Sequence, residues 1–343
     1  MNAASNMPLW GNVALFAVTT LLIGIGGWRL ASVAGRIAER TGLGQAVTGA
    51  VFLGATTSLP GSVTSITAAS NGFADIAVAN ALGGIAAQTA FLAIADIAYP
   101  RANLEHAAAS AANIMQGAML VCMLALILIG MTGPDMTVLD VHPVSLMLPL
   151  AYVGGLQLVS HAYSKPMWLP RQTVETRSEA PQGTRQFRGF SRLWIEFGVL
   201  AALVGVAGWL LARSGMALAR QTGLSESALG GVFTAVATSL PELVTAIAAV
   251  KQGALTLAVG DIIGGNVFDT LFVAVSDVAY RSGSILHAVS LHQAFLVSVG
   301  LLQTGVLLMG LVRREKRGIA NIGFESFLVL LIYAIAVLVT LTR

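Results

Sequence analysis

The sequence predicts an all-α polytopic membrane protein of about ten transmembrane helices, arranged as two inverted five-helix repeats. Three observations carry this. First, 56% of the 343 residues are hydrophobic and only 10% are charged, with a mean hydropathy of +0.79; an average soluble domain carries about 25% charged residues. Second, apolar runs long enough to cross a bilayer recur along the whole chain. Third, the chain aligns with itself at an offset of 181 residues, without a gap, from Trp28/Trp209 to Ala107/Ala288, and 31 of those 80 positions are identical. The matches include Trp, Pro, Asp, Tyr and His, which shared apolar composition would not place in one register.

The spans read in order. The first, roughly 10–33, has no basic residue before Trp10 and leads straight into Arg29, Arg36 and Arg40. It therefore reads as a membrane anchor rather than a cleaved signal peptide. Spans 42–69 and 74–99 contain the duplicated core, and 107–131 and 138–161 complete a first half over 1–161. A polar connector, 162–192, holds Lys165, Arg171, Arg177, Arg185, Arg188 and Arg192. The second half, 193–343, repeats the series at 193–217, 224–250, 255–280, 288–312 and 321–341.

Each half holds an odd number of spans, so corresponding helices cross the membrane in opposite directions. That is the arrangement of transporters whose halves exchange roles around a midplane site. If the connector is cytoplasmic, 15 of the 19 basic residues fall inside, leaving Arg213, Arg220, Arg281 and Arg343 outside. The positive-inside rule then puts both termini outside a cell (inner) membrane. The basic charge serves topology and lipid headgroups, and calls for no nucleic-acid partner. Cys122 is the only cysteine, so neither a disulfide framework nor a thiol metal cluster is expected, and no cofactor is implied. The oligomeric state is left open.

Both copies contain a proline inside an apolar run, in "TTSLPGSVTS" (56–65) and "ATSLPELVTA" (237–246). A proline there removes a helical hydrogen bond and frees carbonyls in the preceding turn; such irregular backbone is tolerated at membrane depth where it lines a cavity. Carbonyls and hydroxyls are hard ligands suited to Na⁺ or Ca²⁺. Helical spacing puts Thr234, Thr238, Glu242 and Thr245 on one face, and Asp261, Gly265 and Asp269 on one face of the next helix. The first copy reads Thr57, Gly61, Thr64 and Asn80, Gly84, Gln88 at the same positions. Ionisable residues within spans mark functional sites by default. The bland alternative is that the hydroxyls bond their own helix and the glycines serve packing.

The segments "ATSLPELVTAIAAV…LAVGDIIGGNVFD" and "TTSLPGSVTSITAASNGFADIAVANALGGIAAQ" resemble the second and first α-repeats of the sodium/calcium exchangers, in the cation/Ca²⁺ exchanger superfamily. The resemblance implies a secondary cation antiporter with inorganic cations as substrates and no catalytic residues. It implies a site from Thr57, Ser58, Gln88, Thr238, Ser239, Glu242, Asp261 and Asp269, on spans 2, 3, 7 and 8, with spans 1 and 6 as moving gates. Asp261 replaces the usual asparagine, and Gly265 a serine. In the first repeat Gly61 replaces a glutamate, Gly84 a serine, Ile85 and Gln88 asparagines. The negative charge is thus expected on repeat 2 alone, which weakens the case for Ca²⁺ and opens two alternatives: a proton- or monovalent-cation-coupled cycle, or a non-transporting partner or sensor. The connector, about 30 residues, is too short for the Ca²⁺-binding regulatory domains attached to some exchangers.

Other polar residues read as structural. Asp96 and Asp277 are expected to cap helix ends or to pair with Arg101 and Arg281. His106 and His287 match across the repeats at the starts of spans four and nine, where proton coupling is the less favoured reading. An aspartyl-protease dyad of Asp261 and Asp269 is disfavoured, because eight residues of one helix separate them by about 12 Å and such a pair must share a proton.

Overall fold

The computed structural model describes residues 7–41, 54–97, 99, 102–171, 173, 190–253, 255–316 and 323–342. Its first half comprises α1 (Leu9–Thr41), α2 (Gly54–Thr57), α3 (Leu59–Ser70), α4 (Ala74–Ile97), α5 (Leu104–Ala108), α6 (Ala111–Thr132) and α7 (Pro143–Ser164). The second half repeats the order with α8 (Phe190–Thr222), α9 (Glu226–Ala228) and a π-helical segment (Leu229–Thr234). It continues with α10 (Ala235–Thr238), α11 (Leu240–Gln252), α12 (Leu255–Ala279), α13 (Ile285–Ala288), α14 (His292–Arg313) and α15 (Phe324–Leu341). Among the described residues, eight helices are long and apolar enough to cross a bilayer, and Glu226–Thr238 with Leu240–Lys251, a pair bent by 41° at its break, makes up to nine if it counts as one span. The expected span 42–69 is described only from Gly54 onward; most of the connector also lies outside the described residues.

The two halves interlock. The long helices α1 and α8 pack on each other, and each also packs on the broken helix of the opposite half, α1 on α11 and α8 on α3. At the centre α4 crosses α12. Around that crossing α12 is covered by α6 and α7 of the first half, and α4 by α14 and α15 of the second. Burial follows from this placement. Helix α4 is enclosed on all sides, whereas α1 and α8 turn Trp10, Leu21 and Ile25, and Ile195, Val199 and Val206, outward. In a bilayer those outward faces meet lipid.

Glycines set the closest approaches at equivalent positions. A Cβ on Gly27 of α1 would overlap the Pro241 ring, and one on Gly208 of α8 would lie 2.7 Å from the Pro60 carbonyl oxygen. Each long helix therefore rests directly on the proline break of the other half.

The aspartates matched across the repeats cap short helices. Asp96 Oδ1 accepts from the Leu104 amide at 2.6 Å, and Asp277 Oδ1 accepts from the Ile285 amide at 2.7 Å. The other Asp277 oxygen accepts from the His142 amide at 2.7 Å. Helix capping, one of the two expected roles, is observed for both; Arg101, the expected alternative partner of Asp96, lies outside the described residues. His106 and His287 lie on the short helices α5 and α13, ahead of α6 and α14 rather than at their starts.

One pair breaks the symmetry at the ends. Where the second half has Leu286 facing Val144 across Gly130, the first half has two buried carboxyls, Glu105 and Glu325. Burial, then Asp96 and Glu325, raise the Glu105 carboxyl well above its ordinary 4.5. A carboxyl raised in the folded state binds its proton more tightly there than in the unfolded chain. Its contribution is therefore present at low pH and lost as pH rises from 4.5 through the folded value. Glu105→Gln is expected to flatten this decline in thermal stability with rising pH, read by unfolding in detergent across a pH series. An unchanged slope would place the titrating group elsewhere.

Candidate cation site

The site is built where two helices stop and restart. Helix α2 ends at Thr57 and α10 at Thr238, and the serine that follows each has nearly the same backbone angles, φ −79°, ψ −1° at Ser58 and φ −96°, ψ 5° at Ser239. Pro60 and Pro241 then sit in the first turn of the restarted helix, where a missing N–H costs least. In the second half the π-helical segment widens the turn before this break, and Gly230 and Gly231 there lie against α4.

Side chains from the two halves meet in matched pairs. The Ser58 hydroxyl faces Asp269; at the equivalent positions Ser239 Oγ accepts from Gln88 Nε2 at 3.2 Å. Gln88 and Asp269 are themselves equivalent, and they touch: Gln88 Nε2 donates to Asp269 Oδ2 at 2.6 Å. An amide opposite a carboxylate makes this central contact attractive, whereas two carboxylates would need a proton or cation between them. Gly84 borders the same spot, and a Cβ there would lie 3.5 Å from Ser239 Oγ and 3.7 Å from Asp269 Oδ2.

A second pairing links Asn80 to the opposite half. The Thr238 hydroxyl lies 2.9 Å from the Thr234 carbonyl and 3.3 Å from Asn80 Oδ1. Asn80 Nδ2 in turn donates to Ser65 Oγ at 2.9 Å and to the Gly61 carbonyl at 3.2 Å. The first-repeat side is thus knitted by a neutral amide. On the second-repeat side stand acids. Glu242 is 1% exposed and neither of its carboxylate oxygens has a hydrogen-bond partner; the Thr57 hydroxyl of the first half lies close by. Asp269 and Asp261 lie within electrostatic reach of Glu242. The Thr245 hydroxyl lies 3.0 Å from the Glu242 carbonyl and 3.5 Å from Asp261 Oδ2. Asp261 Oδ1 and Asp269 Oδ1 are buried without partners.

Among the described residues, no ion pair involves any of these three acids. Three carboxyl groups inside spans, with no countercharge among the described residues, are made neutral by protons or cations. Nor do three Asp, Glu, His or Cys side chains converge tightly enough to hold a metal by themselves among the described residues. A cation here would rely on one or two carboxylates completed by hydroxyl and amide oxygens.

All eight residues singled out from the sequence lie on the broken helices or on α4 and α12. Ser58, Gln88, Ser239 and Asp269 form one group, and Thr57 and Glu242 another. Asp261 stands apart from Asp269, facing Thr245 on α11, which also separates the two members of the disfavoured protease dyad. The bland reading holds for part of the polar stripe, since the Thr234 hydroxyl bonds the Gly230 carbonyl at 2.9 Å. Two further polar residues belong to the surroundings. Asn266 Nδ2 donates to Thr89 Oγ1 at 3.0 Å and leaves its Oδ1 unpartnered. Tyr152, from α7, is buried within reach of Asp269 with its hydroxyl unpartnered. Asn266 was legible as the retained asparagine opposite Ile85; Tyr152 was not singled out, although the same 181-residue offset sets Tyr333 opposite it.

A family model described as sodium/calcium exchanger protein matches residues 11–157 and 192–342. The chain belongs to the sodium/calcium exchanger family. Its curated relatives include inner membrane protein YrbG of Escherichia coli (strain K12), 40% identical over 81 residues, which is 24% of each chain. They also include the sodium/calcium exchanger MaX1 of Methanosarcina acetivorans, 24% identical over 147 residues, which is 42% of each chain. The aligned stretches therefore span less than half of these relatives. Two solved structures share the fold across nearly the whole chain. The sodium-calcium exchanger NCX_Mj, soaked with 2.5 mM Na⁺ and 0.1 mM Sr²⁺, has a TM-score of 0.65 at 18% identity and covers 96% of this chain and 99% of that one. Native YfkE has a TM-score of 0.67 at 15% identity, covering 96% and 92%. This member of the exchanger family is an integral membrane protein of the cation-exchanger type, a class of transporters rather than enzymes.

Proposed function

We propose that the protein is a secondary active antiporter that exchanges cations by alternating access at the site between α2–α4 and α10–α12. The supporting observation is Glu242, a fully buried carboxyl with both oxygens unpartnered, beside a half-partnered Asp269. A buried acid without a countercharge is costly, and a transported cation supplies the missing charge in passing. Binding involves Glu242 and Asp269 with the hydroxyls of Thr57, Ser58, Thr238 and Ser239 and the Gln88 amide oxygen. Asp261 lies at the edge of the site, beside Thr245, on the route into it. Movement falls to α1 and α8, which rest on the proline breaks through Gly27 and Gly208 and present their other faces to lipid. Both termini lie outside the cell membrane in this reading.

Proton- or monovalent-coupled exchange is the second reading, favoured by the neutral Gly61 and Gln88 on the first-repeat side. Radiolabelled Ca²⁺ uptake into Na⁺-loaded proteoliposomes, with and without an outward Na⁺ gradient, separates the two. Gradient-driven uptake is expected for Na⁺/Ca²⁺ exchange. No Ca²⁺ uptake, with cation flux driven by a proton gradient, would establish the second reading instead.

A further inference from the structure

Position 61, where repeat 1 lacks its acid, is not an open space waiting for a carboxylate. A Cβ on Gly61 would lie 2.8 Å from Phe272 Cε2 and 3.4 Å from Cζ. The ring is 3% exposed and is held edge-on by Phe268 at 6.1 Å between centroids, with Phe268 packed edge-on against Tyr152 at 5.9 Å. The register ties this contact to the site. Ser58 faces Asp269, and three residues further along both helices Gly61 faces Phe272, as i, i+3 neighbours on facing helices do. The Gly61 carbonyl also accepts from Asn80, whose other end meets Thr238.

We infer that Phe272 is a specificity-determining residue of the cation site: its ring fills the place of a first-repeat carboxylate at position 61 and biases the site toward monovalent over divalent cations. This rests on the antiporter reading above. The physical reason lies in how two energies scale with charge. Attraction to a carboxylate grows in proportion to the cation's charge. The cost of bringing the ion beside hydrocarbon grows with the square of its charge, the Born dependence behind the expense of burying ions. Replacing a carboxylate by a phenyl ring removes the first and adds the second. Both changes fall harder on Ca²⁺ than on Na⁺ or a proton. The remaining charge lies on Glu242 and Asp269, so a cation is held against repeat 2, with Gln88 already engaging one Asp269 oxygen.

The test is a comparison of Ca²⁺ and Na⁺ affinities of the purified protein, by cation-dependent thermal stabilisation in detergent, for the wild type, Gly61→Glu, Phe272→Ala, the double variant and Phe272→Leu. The double variant is expected to raise the Ca²⁺-over-Na⁺ affinity ratio by about tenfold or more. Gly61→Glu alone should not, because the ring still occupies the space its side chain needs. Phe272→Leu keeps the packing apolar while shrinking it, and should raise the ratio by a smaller factor; it decides the matter if the double variant does not fold. An unchanged ratio in a folded double variant, or in Phe272→Leu when that variant alone folds, overturns the inference. So does a full rise with Gly61→Glu alone. If neither cation stabilises the wild type and Glu242→Gln behaves identically, the antiporter reading itself has failed, an outcome distinct from a wild type that binds cations with a ratio insensitive to Phe272.

Discussion

Glu242→Gln is expected to abolish cation exchange while leaving the protein folded. The carboxyl is fully buried, and both its oxygens lack partners, so the amide removes a charge that nothing in the described structure neutralises. Removing an unpaired buried charge does not cost stability of itself; the cation-free variant should unfold no earlier than the wild type. What disappears is the stabilisation that added cation confers on the wild type, which follows from binding to the folded state alone. Cation affinity should fall at least about 100-fold, above what loss of a supporting partner costs around a metal. Asp269→Asn should act in the same direction, because it removes the carboxylate that Gln88 engages. Flux through proteoliposomes and thermal shift in detergent read both effects. Undiminished flux in both variants would reject the site.

Gly83→Val is the second large effect, and it acts on the scaffold. A side chain at position 83 would run into the Gly231 backbone, whose carbonyl oxygen, Cα and carbonyl carbon are its nearest neighbours. Rotamer changes cannot relieve a clash with backbone. Either α4 and the π-helical segment move apart or the fold fails, and overpacking of this kind costs about 1–3 kcal/mol or more. Because Gly84, beside the Gln88–Asp269 contact, is the next residue, separation here would also open the site. Lower thermal stability together with weakened cation binding is the expected result. A variant with wild-type stability would mean that α4 and the segment do not meet as described.

The architecture was legible because several features of the sequence encode it redundantly. The 181-residue offset aligned proline with proline and aspartate with aspartate, and the structure places those pairs in equivalent roles: Ser58 with Ser239 at the breaks, Asp96 with Asp277 at the short helices. Helix existence follows from apolar length, and the interruption at Pro60 and Pro241 from a missing N–H. That Asp96 and Asp277 cap the short helices was only one of two readings in the sequence, since it depends on which amides the fold brings within reach.

The candidate site divides along the same line. By itself the sequence determined which helices carry it, that Glu242, Asp261 and Asp269 are acids in apolar spans, and that Gly61 and Gln88 leave the first repeat neutral. These follow from residue identity, position and the cost of charge in a membrane. Only the tertiary structure decided that Gln88 donates to Asp269, that Asp261 turns to Thr245 instead, that Tyr152 approaches from α7, and that Phe272 covers Gly61. Those contacts join residues far apart in the chain, and no periodicity along one helix specifies which face of another will meet it.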